Sequence, residues 1–271
     1  MNDGRRGKER SKKLSPGRMP MAEADPGLTE DNMCEPGAVV KKAFSYTDAV
    51  IDALETSLSP ERMATYVRHA GGDREKAVRL YGWNTAVSAA FYGPLQGLEV
   101  ALRNAMHREL AARYGADWYD NPAAGLDAGT LSRITAARAD LRRDGYQDDP
   151  PHMVAALSFG FWVALLGSGG RHPSHGRANY EMTIWRACVF RAFPNARLKR
   201  RAVHTPLDYL RTFRNRIAHH EPIFDRHLAA DYASLLQVAG WISVETQAWI
   251  EHYSRVPTVL AQSPDDTGLL F

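Results

Sequence analysis

The chain has 271 residues, of which 44% are hydrophobic, so it is long enough to bury a substantial core. Its two cysteines, Cys34 and Cys188, lie far apart in the sequence. They exclude a disulfide framework and a cysteine-based metal site, and they predict a reducing, cytoplasmic location. The longest apolar stretch, Met153–Leu166, is shorter than the roughly 20 residues of a membrane span, so we expect no membrane partner.

Residues 1–42 are polar, basic and interrupted by prolines, which predicts a disordered tail. The first 20 residues carry seven Lys/Arg and two acidic residues, a net charge of +5, whereas the whole chain carries only +3. The remainder is therefore slightly acidic. Broad electrostatic attraction to nucleic acid would depend on the tail or on a local basic patch.

From residue 43 onward, apolar residues recur at spacings of three and four, which is typical of amphipathic helices. Ser59-Pro60 and Asp73 are helix starts, and Gly93-Pro94 predicts an interruption. No segment alternates as a strand would, so we predict an all-α domain over residues 43–255 and a flexible tail over 256–271. The expected helices cover about residues 46–57, 60–70, 74–90, 95–114, 129–144, 152–167, 178–193, 205–220 and 227–252.

The densest group of polar residues ends the helix predicted at 205–220 and reads Arg-Asn-Arg-Ile-Ala-His-His-Glu over residues 214–221. Arginine supplies a fixed charge and a fork of donors suited to phosphate, and histidine titrates near neutral pH. Such groups can hold a phosphodiester and move protons around it, which indicates RNA as a partner. The alternative is a set of surface ion pairs beside two ordinary histidines at a helix C-terminus.

The segment Arg214–His219 has the form Arg-x4-His with Asn after the Arg, and it resembles the signature of the HEPN superfamily of helical domains. Residues 210–223 are similar to its Abi-like (abortive infection) branch, and Gly97–Met106 is similar to an earlier core helix of that branch. The resemblance covers residues 44–255. It implies a HEPN-type multi-helix bundle that forms a homodimer and cleaves RNA without a metal or other cofactor. It also implies a toxin or phage-defence setting, with a possible antitoxin protein as partner.

The candidate catalytic residues are Arg214, Asn215, His219 and His220. His219 would act as general base on a ribose 2′-hydroxyl or as general acid on the leaving oxygen. Arg214 would stabilise the charge on the phosphorane, and Asn215 would orient His219 or contact the phosphate. His219 fits the x4 spacing and His220 fits a looser x5 spacing, so either histidine could be the catalytic one.

A polar network on the earlier helix is predicted to support these residues, and it consists of Glu99, Arg103 and Asn104. Glu99, Arg103 and His107 recur at intervals of four, so the alternative is a ladder of ion pairs on a solvated face.

Further candidate RNA contacts are Arg216 and the basic residues Lys199, Arg200 and Arg201. No group of His, Asp and Glu has metal-ligand spacing, so we expect no metal. Two other functions stay open. One is a catalytically inactive RNA- or nucleotide-binding module, and the other is a protein-interaction domain of a toxin–antitoxin or phage-defence system.

Overall fold

The computed structural model describes residues 44–174, 176–266 and 269–271, which form an all-α domain. Within these residues there is no β-strand, and an isolated bridge joins Arg171 and Arg177. No helix in this part of the chain combines the length and the apolarity needed to cross a membrane. The tail predicted at residues 1–42 lies outside the described residues. The helices are α1 Asp48–Leu58, α2 Pro60–His69, α3 Arg74–Tyr114, α4 Ala128–Arg143, α5 Pro150–Ala156, α6 Phe159–Leu165, α7 Arg200–Ala218, α8 Leu228–Ile242, α9 Val244–Tyr253 and α10 Val256–Leu260.

Helix α3 is the longest element, with 41 residues, or about 60 Å at 1.5 Å per residue. It begins as predicted at Asp73, whose side chain accepts a hydrogen bond from the backbone N–H of Lys76 at 3.0 Å. The predicted interruption at Gly93-Pro94 was wrong, because the helix continues through both residues. Pro94 is buried, and packing of α3 against α2, α8, α9 and α10 compensates for a local cost of about 3 kcal/mol.

Two long helices predicted from apolar runs are each divided in the structure. The run at 152–167 forms α5 and α6, which separate at Leu157 and Ser158. The run at 227–252 forms α8 and α9, because the Ser243 side chain accepts a hydrogen bond from the backbone N–H of Thr246 and caps a new helix. Both divisions let the chain turn, so that apolar faces on either side reach the same core.

Two further predictions need correction. The helix expected at 178–193 is replaced by a π-helical turn at Glu181–Trp185 and a 3-10 turn at Val189–Ala192. The flexible tail expected from residue 256 was wrong at its start, because Val256 and Val259 of α10 are buried against the core. Their spacing of three residues places both valines on one face, which gives even a five-residue helix an apolar side to bury.

Buried side chains form a main cluster that extends from α3 to α10 and a smaller cluster at α1, α2 and the start of α3. Helix α3 supplies residues to both clusters and therefore connects them. Phe224, which follows α7, packs on the smaller cluster through Tyr66 and His69, with ring centroids 5.1 and 4.7 Å away. The chain leaving α7 is thus fixed to α2, and this positions the polar end of α7 beside α3.

Candidate functional site

Helix α7 buries one stripe of side chains, at Val203, Leu207, Leu210, Phe213 and Ile217, and directs its polar residues away from the core. It ends at Ala218, two residues earlier than predicted. The end is a Schellman turn, in which the N–H of Glu221 donates to the carbonyl of Arg216 at 2.8 Å.

Within this turn, His220 has φ of 56°, a left-handed conformation that glycine usually adopts at this position. Three contacts hold the turn from outside. Arg62 donates to the carbonyl oxygen of His220, and the N–H of Ile223 donates to the buried Asn84 side chain at 2.7 Å. The third is the packing of Phe224 on α2. The place of the second histidine is therefore set by α2 and α3 as well as by α7.

A groove of about 860 Å³ lies between α3 and the end of α7. Its charged residues and its histidine are Glu99 and Arg103 from α3, with Arg214 and His220 from α7 and its terminal turn. We call it the Arg/His groove. Two guanidinium groups and one carboxylate leave it with a net charge of +1 even when His220 is neutral, so the groove favours an anion.

Glu99 connects three helices at one edge of this groove. One carboxylate oxygen lies 3.4 Å from Arg214 Nε. The other accepts a hydrogen bond from the backbone N–H of Phe159 at 3.1 Å. Ser158 makes no capping bond of its own, so Glu99 serves as the acceptor at the first turn of α6. Arg214 is therefore positioned by a carboxylate that is itself held in place by a third helix.

Arg103 is the other guanidinium in the groove. Among the described residues it has no ion-pair partner, and its Nε is buried without a hydrogen bond. An unpaired buried donor is costly unless a ligand or water satisfies it. Arg103 is thus the guanidinium in the groove whose charge is not neutralised by a carboxylate, and an anionic ligand could pair with it.

Several predicted site residues lie elsewhere. His219 and Asn104 are exposed and Asn215 is half-buried, and none of the three lines the groove. His219 follows Arg214 by five residues, about 140° around the helix, so the two side chains leave α7 in different directions. Arg216 Nε lies 3.4 Å from a Glu221 carboxylate oxygen, which is the surface pairing that the alternative interpretation expected.

The basic residues before the motif begin α7 and are about 30 Å from His220 along the helix. Lys199 and Arg201 are exposed there. Arg200 is engaged within the fold, since its Nε donates to Glu181 at 2.9 Å and its Nη1 donates to the carbonyl of Leu166 at 2.6 Å. The structure does not bring this basic segment to the groove.

The ladder of ion pairs considered for α3 does not form. His107 instead accepts a hydrogen bond at Nδ1 from the Trp118 indole N–H at 3.1 Å, and burial lowers the pKa of His107. The sequence interpretation also gave no role to Asn84, which is only 5% exposed and fixes the segment after the motif. Its signal was a single amide within an apolar helical stretch.

Among the described residues, no three side chains of His, Cys, Asp or Glu are grouped so that they could hold a metal ion. Comparison of the chain with protein-family models, curated proteins and solved structures finds no match.

Proposed function

We propose that this chain is a metal-independent endoribonuclease of the abortive-infection, HEPN type and that the Arg/His groove binds the phosphodiester to be cleaved. The observation that carries the proposal is the convergence of Arg103, Arg214 and His220 on one groove. Two guanidinium groups can contact the non-bridging phosphate oxygens, and an imidazole beside them can accept or donate a proton.

The reaction starts when His220 takes the proton of a ribose 2′-hydroxyl. The 2′-oxygen then attacks phosphorus, and Arg103 and Arg214 stabilise the additional negative charge on the phosphorane. The bond from phosphorus to the 5′-oxygen breaks, and an imidazolium returns a proton to that oxygen. The products are a 2′,3′-cyclic phosphate and a 5′-hydroxyl. DNA is not cleaved, because it has no 2′-hydroxyl.

One groove supplies one lining histidine, whereas the reaction needs both a base and an acid. A homodimer solves this, because a two-fold axis beside the groove would bring in the same imidazole from a second copy. The dimer is part of the proposal.

His220, rather than His219, is the catalytic histidine in this proposal. Both histidines are exposed, but His220 lines the groove and its backbone is held by Arg62, whereas His219 lies outside the groove. The terminal turn returns the chain towards the groove after α7 has ended, so a histidine at the x5 spacing from Arg214 lines the groove.

The second candidate is an RNA- or nucleotide-binding module without catalysis. One observation favours it, since no side chain among the described residues makes a hydrogen bond to the imidazole of His220. Catalytic bases are commonly oriented by such a partner. An unpaired Arg103 would serve phosphate binding equally well without catalysis.

The test is cleavage of total RNA in excess EDTA, with mapping of the cut ends, by wild type, His220→Asn and the matched variant His219→Asn. Asparagine tolerates the left-handed conformation at residue 220, so the terminal turn is retained while the imidazole is lost. We expect cyclic-phosphate ends from wild type and His219→Asn only. RNA that wild type binds but leaves intact would establish the binding module. Equal cleavage by His220→Asn would exclude His220 as the base.

A further inference from the structure

A second groove, of about 510 Å³, lies between the middle of α3 and α9. Its sides are Pro94, Gly97 and Val100 on α3 and Trp249 and Tyr253 on α9. We call it the aromatic groove. Cavities of this size accept ligands as large as a nucleoside.

The aromatic rings of this groove face solvent. Trp249 is 57% exposed and Tyr253 is 70% exposed, and their ring centroids are 5.8 Å apart at an interplanar angle of 55°. Gly97 is what permits α9 to approach, because a Cβ at this position would lie 3.0 Å from Ile250 Cγ1 and 3.4 Å from the Trp249 ring. The indole is thus fixed beside the α3 backbone and keeps an open face.

The two grooves adjoin each other, because Gln96 and Val100 line both of them. No carboxylate is among the described residues that line the aromatic groove, and the glutamates of α9, Glu245 and Glu251, are outside it. Tyr92, 67% exposed, adds a third ring on the side of the Arg/His groove. The unpaired guanidinium of Arg103 and the exposed aromatic rings therefore line neighbouring grooves.

We propose that the aromatic groove stacks an unpaired base of the RNA whose phosphate occupies the Arg/His groove, and that the substrate is therefore single-stranded RNA. The inference rests on the proposed function, in that RNA is the ligand of the Arg/His groove. Aromatic rings beside a cationic channel are the usual means of holding single strands, because every base offers a face for stacking. In a duplex the base faces are covered by their neighbours and could not enter.

The experiment measures the affinity of the full chain for a short 2′-O-methyl RNA, which cannot be cleaved by 2′-hydroxyl attack, in single-stranded and in duplex form. Trp249→Leu removes the stacking face but keeps an apolar side chain. Phe190→Leu is the matched control, because Phe190 is 44% exposed and does not line either groove. We expect Trp249→Leu to weaken single-strand binding by roughly 5- to 150-fold, the range for one lost stacked base, and to leave duplex binding unchanged. Phe190→Leu should change neither affinity.

Unchanged single-strand affinity in a folded Trp249→Leu protein would overturn the inference. So would a Trp249→Leu protein that light scattering shows to have lost its dimer, since the groove would then be covered by a second copy. The cleavage assay keeps the two proposals apart. Cleavage that does not depend on Trp249 would support the ribonuclease and refute the stacking site. Binding that depends on Trp249 in a protein that cleaves no RNA would support the stacking site and refute the ribonuclease.

Discussion

Replacing Glu99 separates the positioning of Arg214 from the stability of the fold. The carboxylate lies 3.4 Å from Arg214 Nε, and the Glu99 and Arg214 side chains are 20% and 41% exposed. Pairs this accessible contribute about 0–1 kcal/mol to the free energy of unfolding. Glu99→Gln keeps an oxygen that can accept from the N–H of Phe159, so we expect a loss below about 1 kcal/mol. Glu99→Ala also removes the cap of α6, so its loss should be about 1–2 kcal/mol.

Glu99→Gln should change RNA binding and RNA cleavage in opposite directions. Without the carboxylate, Arg214 is no longer neutralised, and the groove gains one positive charge. Glu99→Gln should therefore bind uncleavable RNA more tightly than wild type. Its cleavage step should be slower by tenfold to a hundredfold, on the order of the penalty for misplacing a catalytic group by about 1 Å. Urea unfolding, single-turnover cleavage and RNA titration measure the three quantities.

The control is Glu55→Gln, which removes an ion pair of the same exposure outside the groove. Glu55 and Arg74 are 22% and 41% exposed and lie 2.7 Å apart, and their hydrogen bond lowers the pKa of Glu55. This shorter pair should matter at least as much for stability, yet its loss should leave cleavage unaltered. If the two variants behave alike in all three assays, Glu99 has only a structural role and the argument for Arg214 positioning is wrong.

Three further variants test other features. His220→Gly should raise the free energy of unfolding, measured in urea, by up to about 1 kcal/mol, because glycine adopts the left-handed conformation without strain. RNA cleavage should be lost with the imidazole. A His220→Gly protein that is less stable than wild type would contradict this expectation. Burial lowers the pKa of His107 below 6.5, so near this pH the unfolded chain binds more protons than the folded chain. The free energy of unfolding should therefore fall as the pH drops below about 6.5, and His107→Gln should reduce this dependence on pH. Burial raises the pKa of Cys188 to about 11. In a Cys34→Ser protein, whose remaining cysteine is Cys188, alkylation should therefore require unfolding. Rapid labelling of the folded chain would refute this expectation.

The sequence predicted correctly those features of the fold that depend on neighbouring residues alone. The all-α class, the caps at Ser59 and Asp73 and the end of α2 before Gly71 all follow from spacing and capping chemistry. Pro94 was misjudged because local propensity disfavours it, whereas the packing that retains it comes from α8, α9 and α10, far along the chain. The start of α6 was missed for the same reason, since its acceptor is Glu99, 60 residues earlier.

The charged residues of the candidate groove could be predicted from the sequence, but their arrangement in space could not. Glu99, Arg103 and Arg214 were selected from the sequence, and all three line the groove. The choice between His219 and His220 depended on where α7 ends, and helix ends are uncertain by one or two residues from sequence alone. The turn that brings His220 to the groove is held by Arg62 and Asn84, which are more than 100 residues before the motif, so the sequence near the motif does not show their contribution.

The length of α3 has a consequence for synthesis on the ribosome. Glu99 is translated about 160 residues before the end of α10, whose buried face packs on α3. At 5–20 residues per second, this delay is about 8–32 s, whereas a helix forms within about a microsecond. The face of α3 that α10 covers therefore stays exposed until synthesis is nearly complete, and an exposed apolar face of this kind can bind a chaperone. The Arg/His groove cannot assemble before α7 has left the exit tunnel, so Arg103, Arg214 and His220 come together only late in synthesis.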